Sequence, residues 1–285
     1  MQVSGVAKFD RASGLRARAL VAGLALALSG AEALAQPQSS PEFQPHVGQD
    51  GKDVIWVPTA QTLVDRMMEL AKVTPSDFVI DLGSGDGRTV ITAAKIGAKA
   101  LGVEYNPDMV TLSRRNAAAA GVAERATFVK ADLFESDFSQ ATVVTMFLLS
   151  SINRKLRPKI LDLKPGTRIV SNTFDMGEWK PDVTSVVSEN CRAHCRAHFW
   201  VVPAKVEGKW KLGDSELSLN QKFQEFFGTI NAAGKDAPIA AGKLVGARIS
   251  FTTGGLDYEG VVDGDRMSGT LKRNGVEEKW SASRM

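Results

Sequence analysis

Four acidic residues and a run of glycines carry the chemistry legible in this chain. The stretch Asp81-Leu-Gly83-Ser84-Gly85-Asp86-Gly87 sets two carboxylates around a G-x-G-x-G turn. Glycines there permit positive φ and close ligand approach, and a helix following the turn offers unpaired N–H groups at its start. A turn built for pyrophosphate reads G-x-G-x-x-G, and Asp81 and Asp86 would repel that anion. The same carboxylates suit an ammonium or sulfonium ligand. Glu104, twenty-one residues beyond Gly83, ends a second apolar run and can accept both hydroxyls of a ribose. Asp132 ends a third run, residues 126–131, where it can meet an adenine amino group. Ribose, adenine and a cationic amino-acid tail together make S-adenosyl-L-methionine (SAM).

These residues need strand ends and helix starts to hold them. Residues 77–82 form a short apolar run of the kind buried in a parallel sheet, and 88–96 put Val90, Ile91 and Ala94 on one helical face. Asn106-Pro107 caps and starts a helix that ends at Gly121. Strands are predicted over 98–105, 126–131, 141–148 and 167–174, with a basic amphipathic helix over 150–161. Strands alternating with helices predict a parallel sheet covered on both faces. Upstream, Thr59 caps a predicted helix ending near Lys72, with Leu63, Val64, Met67, Leu70 and Ala71 on its apolar face; Thr59 can also line the ligand pocket. Beyond Asp175 the helical period vanishes. Strands are predicted over 198–203, 209–212, 223–230, 244–251, 258–262, 268–271 and 277–281, with Asn274-Gly275 as a two-residue hairpin turn.

The class is therefore α/β, Rossmann-like, with helices on both faces of the sheet and a small C-terminal antiparallel β appendage. The predicted divisions are a signal peptide (1–35), a flexible leader rich in Pro, Gln and Ser (36–53), the α/β domain (54–212) and a β-rich appendage (213–285). A basic stretch, an apolar run over 19–28 and Ala33-Leu34-Ala35 together read as a secretory signal. The apolar run is too short to span a bilayer, so the protein is expected to be exported, with a periplasmic address and no stable membrane insertion once the signal is cleaved. An uncleaved signal acting as an anchor is the alternative. Of the net charge of +3, +2 falls in residues 1–35, which leaves no electrostatic footprint for nucleic acid.

Cys191-Arg-Ala-His194-Cys195-Arg-Ala-His198 puts four potential metal ligands within eight residues. Structural zinc sites usually join two ligand pairs across a loop, so no metal is assigned. The repeat reads first as a loop or strand entry, with a local disulfide in an oxidising compartment as the alternative.

The glycine turn with Glu104 and Asp132 resembles the class I, seven-β-strand SAM-dependent methyltransferases. Val57-Pro-Thr59, Asn153-Arg-Lys-Leu-Arg-Pro158 and Phe174-Asp-Met-Gly-Glu-Trp179 resemble one branch of it, the small protein-lysine methyltransferases of mitochondria, archaea and bacteria. The resemblance covers about residues 54–212. It implies that Asp81, Gly83, Gly85 and Asp86 surround the methionine part of SAM, with Ser84 and Gly87 of the same turn also binding the cofactor. Glu104 would then hold the ribose, and Asp132 and Leu133 the adenine, with Asn106 a further cofactor contact. Phe147, after the fourth strand, would stand near the reacting methyl.

The activity so implied is N-methylation of a lysine presented by a protein substrate. The alternatives are a small-molecule N- or O-acceptor, or a lapsed SAM-binding fold that contacts an envelope partner. A lysine amine must lose its proton before it attacks, and an aromatic mouth of Trp56, Phe147 and Trp179 would favour the neutral form by desolvation. Asp175 is the candidate to take the proton.

Overall fold

The computed structural model describes residues 42–273 and 275–285; the predicted signal peptide and Asn274 of the predicted hairpin turn lie outside the described residues. The first part of the chain runs α1 (Gln61–Leu70), β1 (Phe78–Leu82), α2 (Arg88–Ile96), β2 (Lys99–Glu104), α3 (Pro107–Ala119), β3 (Ala126–Lys130), β4 (Val143–Met146), α4 (Ser150–Leu161), β5 (Arg168–Asn172), β6 (Val183–Val186) and β7 (Arg196–Val201). The strands make one seven-stranded sheet in the order β3-β2-β1-β4-β5-β7-β6. From β3 to β5 all neighbours are parallel, whereas β7 runs antiparallel to β5 and to β6. This is the Rossmann-like methyltransferase arrangement.

Apolar patterning explains the layers. β4 is buried along its whole length and β1 and β5 along all but their first residue, as central strands covered on both faces must be. Helix α1 turns Leu63, Val64, Met67 and Met68 inward, each worth about 1.5–3 kcal/mol on burial. Ala60, not Thr59, precedes its first turn and caps nothing through its side chain. Thr59 Oγ1 instead accepts a hydrogen bond from Asn172 Nδ2 at 3.1 Å, tying α1 to the end of β5. The Asn106 cap forms as expected, its Oδ1 accepting from the Asp108 N–H at 2.8 Å.

Strand order decides where a ligand can go. From β1 the chain moves outward to β2 and β3, then returns to the other side of β1 at β4. The loops leaving β1 and β4 therefore diverge, and a crevice opens between them at the carboxyl ends of the strands.

The remaining strands are β8 (Gly208–Leu212), β9 (Ser215–Lys222), β10 (Glu225–Ala232), β11 (Lys235–Val245), β12 (Arg248–Thr253), β13 (Leu256–Asp263), β14 (Arg266–Arg273) and β15 (Val276–Arg284). They form a closed antiparallel barrel sealed where β15 pairs with β8. The predicted boundary at 212/213 is corrected, because β8 belongs to the barrel and supplies its closing edge. Closure leaves no free strand edge. The interior is filled by Trp210, Leu217, Phe226, Phe251, Tyr258 and Trp280, among others. Gly260 faces Gly269 across β13 and β14, and a Cβ on Gly260 would lie 2.7 Å from the Trp280 ring. The paired glycines make room for that indole.

Candidate active site

A cavity of about 540 Å³ fills the crevice. The loop after β1 supplies its floor. Gly83, Gly85 and Gly87 all have positive φ (79°, 53° and 83°), the conformation the glycine spacing anticipates. A Cβ on Gly85 would lie 2.6 Å from Trp56 Nε1, and one on Gly87 2.7 Å from Phe128. The turn is thus packed on both sides, and its backbone is the part left to meet a ligand.

Asp81 is 5% exposed and accepts a hydrogen bond from Thr145 Oγ1 at 2.6 Å. Burial pushes its pKa up to about 7, with the charges of Glu104 and Asp86 adding to the effect. An arriving cation would reverse that balance. Asp86 is engaged differently from expectation: the Arg88 guanidinium forks onto it, with Nη2 2.5 Å from Oδ2, while Arg88 Nη1 donates to the Thr59 carbonyl at 2.7 Å. Its charge is answered within the protein, so Asp81 remains the carboxylate suited to a cationic ligand. Ser84 lies in the lining, but its Oγ is packed against Gly102 and has no hydrogen-bond partner among the described residues.

Glu104 is anchored by backbone. Its Oε2 accepts from the Gly85 N–H and its Oε1 from the Asn106 N–H, both at 2.9 Å. Each carboxylate oxygen keeps a second lone pair, enough for the two hydroxyls of a ribose. Asp132 Oδ1 accepts from the Phe134 N–H at 2.8 Å, and its Oδ2 pairs with Lys52. That pairing with Lys52, followed by the Phe134 N–H, holds its carboxyl below the usual range. Leu133 and Asn106 complete this end of the cavity.

Lys52 belongs to the segment expected to be a flexible leader. Residues 49–59 instead line the cavity. Gly48 and Trp56 exchange strand-like bonds with this strap, the Gly48 N–H donating to the Trp56 carbonyl and the Trp56 N–H to the Gln49 carbonyl, both at 2.9 Å. The Lys52 ammonium sits 5.0 Å above the Tyr105 ring. Nothing in the polar composition of 36–53 announced that role.

The far end of the cavity is aromatic. Phe147 follows β4, Phe174 follows β5, and His194 precedes β7; all three line it. Trp179, expected at this mouth, is instead fully buried between Trp200 and Phe223 in the core. Asp175 is outside the lining; it is exposed and its Oδ1 accepts from the Gly177 N–H at 3.0 Å. It closes a turn and does not reach the cavity. The Asn153 and Phe174 motifs turn out to be one clamp. Asn153 Nδ2 donates to the carbonyls of Phe174 (3.1 Å) and Asp175 (3.2 Å), and Arg157 Nη1 to that of Met176 (2.8 Å). Cys191 and Cys195 form a disulfide, the alternative reading of the repeat, while His198 is buried in β7. The Thr173 carbonyl can only accept, so His198 Nε2 carries the proton toward it at 3.2 Å.

The site fits SAM on three counts: an open, Cβ-free turn backbone, a buried carboxyl poised for a cation, and two backbone-anchored acids at successive strand ends.

Comparison with known proteins agrees with this reading. The model of the ANTKMT methyltransferase domain matches residues 81–183. A protein-lysine N-methyltransferase of Saccharolobus islandicus is 47% identical over 144 residues, covering 50% of this chain and 89% of that protein. The adenine nucleotide translocase lysine N-methyltransferase of Mus musculus is 34% identical over 138 residues, covering 48% of this chain and 59% of that protein. Among solved structures, an RNA methyltransferase from Salinibacter ruber in complex with S-adenosyl-L-homocysteine shares 49% identity and a TM-score of 0.50. The match covers 53% of this chain and 96% of that one.

Proposed function

The chain belongs to the protein-lysine N-methyltransferase family of SAM-dependent methyltransferases, and from that premise we propose that it methylates the side-chain amine of lysine in a protein substrate. One observation carries the reading: a single cavity joins the glycine turn, Glu104 and Asp132 to the aromatic end at Phe147 and Phe174. When bound, SAM supplies an electrophilic methyl group on a sulfonium. The chain's own residues would do the rest. Asp81 would neutralise the ammonium of the amino-acid tail, Glu104 would hold the ribose, and Asp132 with Leu133 would border the adenine. Holding two reactants in near-attack geometry can lower a barrier by roughly 7–11 kcal/mol.

At the aromatic end, Phe147 and Phe174 receive the incoming lysine side chain, whose amine sheds its proton before it attacks. With Asp175 outside the lining, the displaced proton leaves to solvent through the mouth.

The test uses labelled SAM and a lysine-rich protein, either untreated or with its lysines chemically acetylated. Transfer to the untreated protein alone supports the reading, and equal transfer to both would overturn it. A second reading, an RNA acceptor, draws on the relative from Salinibacter ruber. It would be favoured by label that ribonuclease releases. The near-neutral charge outside residues 1–35 offers little to phosphate.

We also infer export. The basic and apolar pattern of residues 1–35 supports it, as does a disulfide, which persists in oxidising compartments. Cell fractionation tests this, and a wholly cytosolic protein would contradict it.

A further inference from the structure

We propose that the disulfide-closed loop Cys191–Cys195 is an acceptor-positioning element, and that His194 at its tip is a specificity-determining residue for the lysine side chain. The inference deepens the lysine reading and rests on it.

The ring of His194 packs on Phe147 with centroids 5.1 Å apart and on Phe174 at 6.1 Å, while the two phenylalanines stack at 6.0 Å with 25° between planes. These rings come from three separate loops and share one end of the cavity. Neither ring nitrogen of His194 has a hydrogen-bond partner among the described residues, and the side chain is exposed rather than tucked into the core. The loop presents a ring face.

The backbone shows what holds it there. His194 has φ +57°, in the left-handed region that non-glycine residues seldom adopt. Such a conformation persists where the surroundings over-determine it. Here the bond from Cys191 to Cys195 closes a five-residue ring around His194, with Cα atoms 5.7 Å apart. Cys195 is also fixed from behind, its carbonyl accepting from the Val187 N–H at 2.9 Å. Next to it, the Arg196 carbonyl accepts from the Thr173 N–H at 2.7 Å, which couples this loop to the one bearing Phe174.

A wall of three rings is suited to the long alkyl stem and basic nitrogen of lysine. The stem packs on the rings, and the nitrogen, protonated on arrival or carrying methyl groups, is drawn to their faces. Removing one ring, or freeing the loop that holds it, should weaken acceptor binding and leave the SAM end untouched.

The test measures hexalysine binding by calorimetry in the presence of S-adenosyl-L-homocysteine, together with KM and kcat for hexalysine methylation. His194→Ala should raise the hexalysine Kd and KM by about 3- to 10-fold, with the Kd for SAM within about twofold of the parent. His194→Phe should restore binding, because a ring face suffices. The Cys191→Ser/Cys195→Ser double variant should shift Kd and KM as His194→Ala does. Dithiothreitol should produce the same shift in the parent and none in the double variant. Unchanged hexalysine affinity in His194→Ala and in the reduced parent would overturn the proposal while leaving lysine methylation standing. Failure of His194→Phe to rescue would also overturn it, since a proton-accepting imidazole would then be required. If the parent neither binds nor methylates hexalysine, the lysine reading falls and this proposal falls with it.

Discussion

Replacing Asp81 with asparagine should stabilise the ligand-free protein at mildly alkaline pH while removing its grip on SAM. Asp81 is buried, with Thr145 donating to it at 2.6 Å, and burial raises its pKa from 3.8 in the unfolded chain to about 7. A carboxyl shifted upward contributes stability that is fully present below about pH 4 and is lost as pH rises through about 7. The gap of about three units, at 1.36 kcal/mol each, sets a ceiling of about 4 kcal/mol. Asparagine keeps a carbonyl to accept from Thr145 but has no charge to desolvate. Stability from urea unfolding, taken as parent minus variant, should therefore fall by about 2–4 kcal/mol between about pH 4 and pH 8, chiefly below pH 7. In calorimetric titrations the parent's affinity for SAM should rise about tenfold per pH unit below about 7 and then level off, as Asp81 ionises. The variant should bind weakly at every pH. Parallel stability profiles for the two proteins would refute the assignment of Asp81 as a buried carboxyl held for a cation.

Two further outcomes follow from the same geometry. Glu104→Ala removes the acceptor for the Gly85 and Asn106 N–H groups and for the ribose, and should weaken SAM binding in calorimetry by about 1–3 kcal/mol. Gly87→Ala combines a φ of +83° with a Cβ 2.7 Å from Phe128 and 2.8 Å from Ser113, and should destabilise the fold by about 2–4 kcal/mol in urea unfolding.

The sheet, and the meeting of Asp81, Glu104 and Asp132 at one cavity, were legible because their signals are local. A glycine needing positive φ, an acid closing an apolar run and an Asn-Pro helix start each declare themselves within a few residues. Of the aromatic end only Phe147 was, since Phe174 and His194 come from loops far from it in sequence and meet it only through the sheet order. Trp179 was misplaced for the same reason: an aromatic beside a motif looks the same whether it points to the cavity or to Trp200. The strap at Lys52 carries no periodicity at all.

In the barrel, β9 and β11 escaped prediction. Only Leu217 and Leu219 of β9, and Ile239 and Leu244 of β11, are buried, and β11 carries Pro238, Gly242 and an irregular register near Ala240. Closure depends on β8 meeting β15 across some seventy residues, which no local pattern reports.

The most direct test of the central claim follows the methyl group itself. The protein would be incubated with labelled SAM and a lysate of cells lacking it, and the label divided among protein, RNA and small molecules, with mass spectrometry mapping the modified atom. The account predicts label on lysine side-chain nitrogen in protein, reduced with the Glu104→Ala variant at limiting SAM. Label in RNA or small molecules, with none on protein lysine, would contradict it.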